Sequence, residues 1–123
     1  MSLEFEKLIE DKRGKILFLK YNDKKINLVQ TKKNFARGGH YHKTDTSHFL
    51  ISGKIELREE NIVTNEEKTS IIQAPFILDV PSNHAHLLTA MEDSLFFEFF
   101  EDYEATNFPK YRNIVEEKMN HNE

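Results

Sequence analysis

Short runs in which apolar and polar residues alternate fill most of the chain, and turn-forming residues separate them. Phe5 to Ile9 and Lys15 to Tyr21 flank Asp11-Lys12-Arg13-Gly14, a hairpin signal. Asn22-Asp23 marks another turn before Ile26 to Gln30. A short loop at Lys32 to Asn34 then leads to Phe35 and the pair Gly38-Gly39, which permits a bend or a close approach. Ser47 to Arg58 is a longer run interrupted by Gly53, and polar Asn61 to Glu67 reads as a loop. Further strand candidates are Thr69 to Gln73, Phe76 to Val80, His84 to Met91 and Leu95 to Phe100. About nine strands at this spacing, with no helix between them, predict an all-β sandwich or barrel rather than β-α-β units.

The period changes only in the tail. Phe108, Tyr111, Ile114, Val115 and Met119 recur at helical spacing, which predicts an amphipathic helix over about 108–119. Asn107 is its candidate N-cap, and Pro109 falls in the first turn, where its missing N–H costs little. One strand stands apart. Leu95, Phe97 and Phe99 share one face of it, and Phe96, Glu98 and Phe100 share the other. A strand apolar on both sides is covered on both sides. One cover is the barrel interior; the other is the C-terminal helix or a second subunit, and a homodimer is the expected answer.

At 123 residues the chain is long enough for one well-buried core, so residues 1–123 are expected to form one domain. The absence of cysteine excludes both disulfides and a thiolate metal site, and leans towards a reducing compartment. The start, Met1-Ser2-Leu3-Glu4-Phe5-Glu6, lacks the basic and apolar character of a signal peptide. No stretch approaches the ~20 apolar residues of a membrane helix. A soluble, cytoplasmic protein without a membrane partner is the expectation. A net charge of −4 argues against nucleic acid as a partner, because phosphate binding wants a basic surface.

The candidate chemistry lies in the histidines. Five of six fall at His40, His42, His48, His84 and His86, as two i, i+2 pairs and a single residue. In a strand, residues two apart point to one face, about 6.6 Å apart along the backbone. Two such pairs on neighbouring strands would converge three or four nitrogens on one point, which is how a β scaffold holds a divalent metal. Neutral imidazole suits Zn, Fe, Ni, Mn or Cu, and spacing does not choose among them.

These segments resemble the two signature motifs of the cupin superfamily, small jelly-roll β-barrels. His40-Tyr41-His42, three residues, Thr46, six residues and Gly53 fit the frame of the first motif, with Thr46 where the family carries a metal-binding glutamate. Pro81-Ser82-Asn83, two residues, His86, three residues and Ala90 fit the second, with Asn83 and Ala90 as departures. The likeness spans roughly residues 26 to 100, and implies a cupin barrel of about residues 5 to 100. It says less about reaction, because this fold hosts many chemistries. A narrower likeness joins Ala36-Arg37-Gly38-Gly39-His40-Tyr41-His42-Lys43 to sugar-nucleotide cupins: ketoisomerases and epimerases of deoxysugar synthesis and the cupin domain of capsular-sugar reductases. The tail Asn107 to Asn113 is similar to their C-terminal segment. In the ketoisomerases the two histidines act as acid and base without metal; in cupins with the glutamate they are metal ligands.

On this resemblance His40, His42 and His86 are the expected metal ligands. Thr46, His48 and Leu50 share one strand face, so an inward Thr46 brings His48 inward too. His48 then either completes a four-histidine shell or bonds a neighbouring hydroxyl inside the barrel. A four-nitrogen shell carries no ligand charge and leaves a dipositive ion more electrophilic than one with a carboxylate. Thr46 lines the substrate space. His84 is a ligand, a partner to a ligand or a proton shuttle, or else a surface turn residue. Arg37, expected at the barrel mouth, offers a planar fork to a substrate phosphate or carboxylate, or pairs with a surface glutamate. Tyr41 alternates with the histidines and is expected to pack elsewhere. Glu98 is a general base with a raised pKa if it faces inward; the preferred reading turns it outward to a lysine at a dimer edge.

The expected function is a metal-binding cupin acting on a small molecule, a carbohydrate or nucleotide-sugar isomerase or epimerase using a His-ligated divalent metal. A metal-dependent dioxygenase and a non-catalytic sugar- or metal-binding cupin are the alternatives.

Overall fold

A computed structural model describes residues 2–100 and 104–121 of the chain. Eleven strands and one helix follow in order. The strands are β1 (Leu3–Asp11), β2 (Gly14–Tyr21), β3 (Lys24–Thr31), β4 (Ala36–His42), β5 (Thr46–Ser52), β6 (Lys54–Asn61), β7 (Glu67–Gln73), β8 (Phe76–Val80), β9 (His84–Ala90), β10 (Ser94–Phe100) and β11 (Ala105–Asn107). The helix is α1 (Pro109–His121). Asn22, Asn34, Asn65 and Asn83 adopt positive φ, the left-handed conformation that asparagine tolerates in turns. At Gly53 the backbone also turns at positive φ, dividing the long Ser47 to Arg58 run into β5 and β6.

Two antiparallel sheets face each other, one with strand order β1-β2-β3-β10-β5-β8 and the other β11-β4-β9-β6-β7. Between them lies an apolar core of Val29, Leu50, Leu57, Leu78, Val80, Leu88 and Phe96. The row Ile16, Val29, Phe96, Leu50 crosses four strands in register. This is the cupin barrel that the histidine motifs implied.

Helix α1 lies on the outside of the five-stranded sheet. Tyr111 and Val115 are fully buried there against Ala36, Ala85 and Leu87, with Tyr41 packed at the edge of the same cluster. Tyr41 therefore packs away from the histidines, as its alternation with them requires. The outer face of the six-stranded sheet has no such cover among the described residues. Leu8, Leu17, Leu28, Phe97, Phe49 and Ile77 form one register row across all six strands. Leu8 is 48 % exposed and Ile77 66 %. The side chain of Phe100 lies outside the described residues.

Candidate metal centre

The glycine pair decides which way the first two histidines face. Arg37 points inward from β4, where it reaches across to β3. Strict alternation from that point would turn His40 outward. A bulge between Gly38 and His40 shifts the phase by one residue, with Gly38 and Gly39 both at positive φ. His40 then pairs with His86 on β9, and His40 and His42 face the interior together. The ring centroids stand 5.1 Å apart for His40 and His42, 5.0 Å for His40 and His86, and 6.0 Å for His42 and His86. One nitrogen from each of the three lies within 4.8 Å of the others.

Burial makes this a costly arrangement without a cation. His42 and His86 are 5 % and 1 % exposed, and His86 Nδ1 is buried without a hydrogen-bond partner among the described residues. Desolvation, with His42 alongside, pushes the His40 pKa down to about 4. Desolvation and the neighbouring histidines hold His86 well below its ordinary value too. Both therefore present neutral imidazole near pH 7, the form that ligates metal. The donor set fits a divalent ion.

A polar wall from the six-stranded sheet stands beside the triad. Thr46, His48 and Leu50 on β5 are all buried, on the shared inward face that the sequence predicts. Thr46 Oγ1 has no hydrogen-bond partner among the described residues. The His48 ring lies 5.6 Å from that of His86, yet its nitrogens do not join the three-histidine group. Its Nε2 instead sits 3.3 Å from Glu98 Oε2 on the neighbouring strand β10, where the two residues are register partners. Asn27 Nδ2, from β3, donates to the other oxygen of Glu98 at 3.5 Å.

Three expectations need correction here. Glu98 faces the interior beside His48 rather than outward to a lysine, because it shares its strand face with the core residue Phe96. Nor is its pKa raised. Burial alone would raise it, but the hydrogen bond and charge of His48, with His40 and Asn27, hold it below the ordinary carboxylate value. Arg37 is not free at the barrel mouth. It is buried, and its Nη2 donates to the Gln30 carbonyl at 2.8 Å and its Nε to Thr31 Oγ1 at 3.3 Å. Burial lowers its pKa to about 10. It ties β4 to β3 rather than offering its fork to a substrate. His84 stays out of the triad, with Nδ1 3.0 Å from the Ser82 carbonyl and its side chain lining a cleft with Glu59, Asn61 and Lys68. Asn27 is a site residue that sequence reasoning missed; an amide alternating with Val29 and Thr31 was the available signal.

The polysaccharide biosynthesis C-terminal domain family model matches residues 9–108. The chain belongs to that family. Solved structures with the same fold include the capsular polysaccharide assembling protein CapF from Staphylococcus aureus, 20% identical with a TM-score of 0.66, where the match covers 85% of this chain and 30% of that one. A likeness of the same kind extends to the S161A mutant of Bacillus subtilis oxalate decarboxylase, 22% identical with a TM-score of 0.72, covering 86% of this chain and 31% of that one. The chain thus spans about a third of the length of these proteins. At such identities the likeness establishes the cupin fold. No curated protein sequence matches the chain.

Proposed function

We infer that this member of the polysaccharide biosynthesis C-terminal domain family binds a divalent metal through His40, His42 and His86 and acts on a carbohydrate or nucleotide sugar as an isomerase or epimerase. The observation that carries the metal reading is the convergence of three interior imidazoles within 4.8 Å. The sugar class is supported by the family's association with polysaccharide biosynthesis and by the Arg37 to Lys43 likeness to sugar-nucleotide cupins. Manganese centres occur in Bacillus subtilis oxalate decarboxylase, which supports a divalent ion in this fold without choosing the metal here.

A cation held by the triad supplies Lewis acidity to a substrate carbonyl or hydroxyl oxygen. The chain's own groups supply the rest. Glu98, ionised and inside the barrel, is held by Asn27 and His48 and brings a negative charge to the wall beside the triad. Thr46 contributes a hydroxyl with spare hydrogen-bonding capacity on the same wall. Arg37, with its Nε and Nη2 donating to Thr31 and Gln30, serves as a tie between β4 and β3.

Elemental analysis of the purified protein is the test. We expect one transition metal per chain, and its loss in His42→Ala with the fold retained by circular dichroism. A His42→Ala protein that keeps its full metal content would refute the assignment. Oxygen uptake with an iron-loaded protein would favour the dioxygenase instead.

A further inference from the structure

We propose that Glu98, reaching in from β10, supplies the negative charge that the cupin frame places at the position of Thr46, and that it does so through His48. The inference rests on the metal reading above and extends it to a residue outside both histidine motifs.

Three observations meet here. First, Thr46 faces inward, buried, at the frame position of the family's carboxylate, and a hydroxyl brings no charge. Second, a carboxylate stands on the adjoining strand. Glu98 is register partner to His48, two residues along β5 from Thr46, and its Oε2 lies 3.3 Å from His48 Nε2. Third, it is fixed in place. Asn27 donates to its second oxygen, and Phe96, 1 % exposed, anchors the same strand face two residues earlier.

The chemistry favours this arrangement over chance. An isolated carboxylate in a barrel interior is expensive and would ordinarily be protonated. Glu98 is instead held in the ionised form by its neighbours. Its Oε2 stands 3.3 Å from His48 Nε2, an ion-pair contact that sets the carboxylate against a ring whose centroid is 5.6 Å from that of His86. Carboxylates that orient imidazoles around a metal typically change its affinity by about 10–100-fold. Glu98 is a positioning residue on this account, acting on the cation site through His48.

The test uses Co(II) as the probe and reads its dissociation constant by titration calorimetry in wild type, Glu98→Gln, Thr46→Glu, and Glu98→Gln combined with Thr46→Glu. Glu98→Gln is expected to weaken Co(II) binding about tenfold or more. Thr46→Glu is expected to recover most of that loss in Glu98→Gln and to strengthen binding much less when made alone, a non-additivity that a merely structural role for Glu98 would not produce. Should Glu98→Gln fail to fold, Glu98→Asp keeps the charge but withdraws it by one methylene, and is expected to weaken binding in the same sense. Wild-type affinity in Glu98→Gln, or no recovery in the double variant, overturns the proposal and leaves the triad standing. A wild-type protein that takes up no Co(II) removes the metal reading and this role together.

Discussion

His40 loses most of its hydration inside the barrel and faces His42 at 5.1 Å, so its proton is released at about pH 4 rather than near 6.5. The sign follows from where the proton goes. Between pH 6.5 and 4 the unfolded chain binds a proton at this ring that the folded chain refuses. Stability is therefore fully present above the unfolded value and lost as pH falls through that window, by on the order of 3 kcal/mol for His40. His86 acts in the same direction. We expect the urea midpoint of metal-free protein to drop between pH 7 and pH 4, and to drop less in His40→Asn. A midpoint unchanged across that range would show that these rings are not the groups under strain. At this scale the sequence was readable where one rule sufficed: i, i+2 spacing on strands brings His40, His42 and His86 together. It misled where phase mattered. Arg37 and His40 both face inward although they stand three positions apart, because the bulge resets the alternation. Glu98 was hidden for a related reason, since nothing local in Phe96-Glu98-Phe100 tells which strand face is the interior.

Strand β4 and helix α1 meet at the glycine pair, and the contact is too close for any other residue. A Cβ on Gly39 would stand 2.7 Å from Arg112 Cδ and 2.9 Å from the Arg112 backbone nitrogen, and the residue sits at φ +84°. The Gly39 carbonyl accepts from Phe108 N at 2.8 Å, and the Gly38 carbonyl accepts from Arg112 Nη1 at 3.0 Å. Helix, bulge and histidine orientation are thus one mechanical unit. Gly39→Ala is expected to cost about 2 kcal/mol or more, from the positive φ and from the displaced helix. It is also expected to weaken metal binding, because the bulge aims His40. Denaturant unfolding and a metal titration on the same variant check both; a loss of stability with unaltered affinity would separate the helix from the site. Most elements were legible because their periods are clean: β2, β8 and α1 fall within a residue or two of their expected bounds. The Asn61 to Glu67 stretch narrows to a turn around Asn65, because β6 runs on to Asn61 and β7 begins at Glu67. Strand β11, three exposed residues Ala105–Asn107 paired to the histidine strand, carries no hydrophobic alternation to announce it.

The two outer faces of the barrel differ in a way that bears on assembly. Helix α1 covers the five-stranded sheet, so of the two covers that the apolar β10 strand called for, the helix is committed elsewhere. The row from Leu8 to Ile77, flanked by Leu19, Ile26 and Phe99, crosses six strands. At about 4.8 Å between strands the six-strand row spans roughly 24 Å, and the flanking row on β2, β3 and β10 lies about 6.6 Å from it. A continuous apolar row of this kind, unlike apolar residues scattered singly over a surface, marks an interaction face. A second copy of the chain presents the same apolar face, and two twisted sheets pack well at about −30°. We therefore expect a homodimer through this face, with twice the 14.6 kDa chain mass in light scattering at micromolar concentration. Phe97→Glu sets a charge at the centre of the row and is expected to yield monomer. Because the triad opens to the opposite side of β5 and β10, that variant is expected to keep its metal. A wild type that runs as monomer at tens of micromolar would show that the patch has another occupant or none, and a Phe97→Glu dimer would place the interface on a different surface.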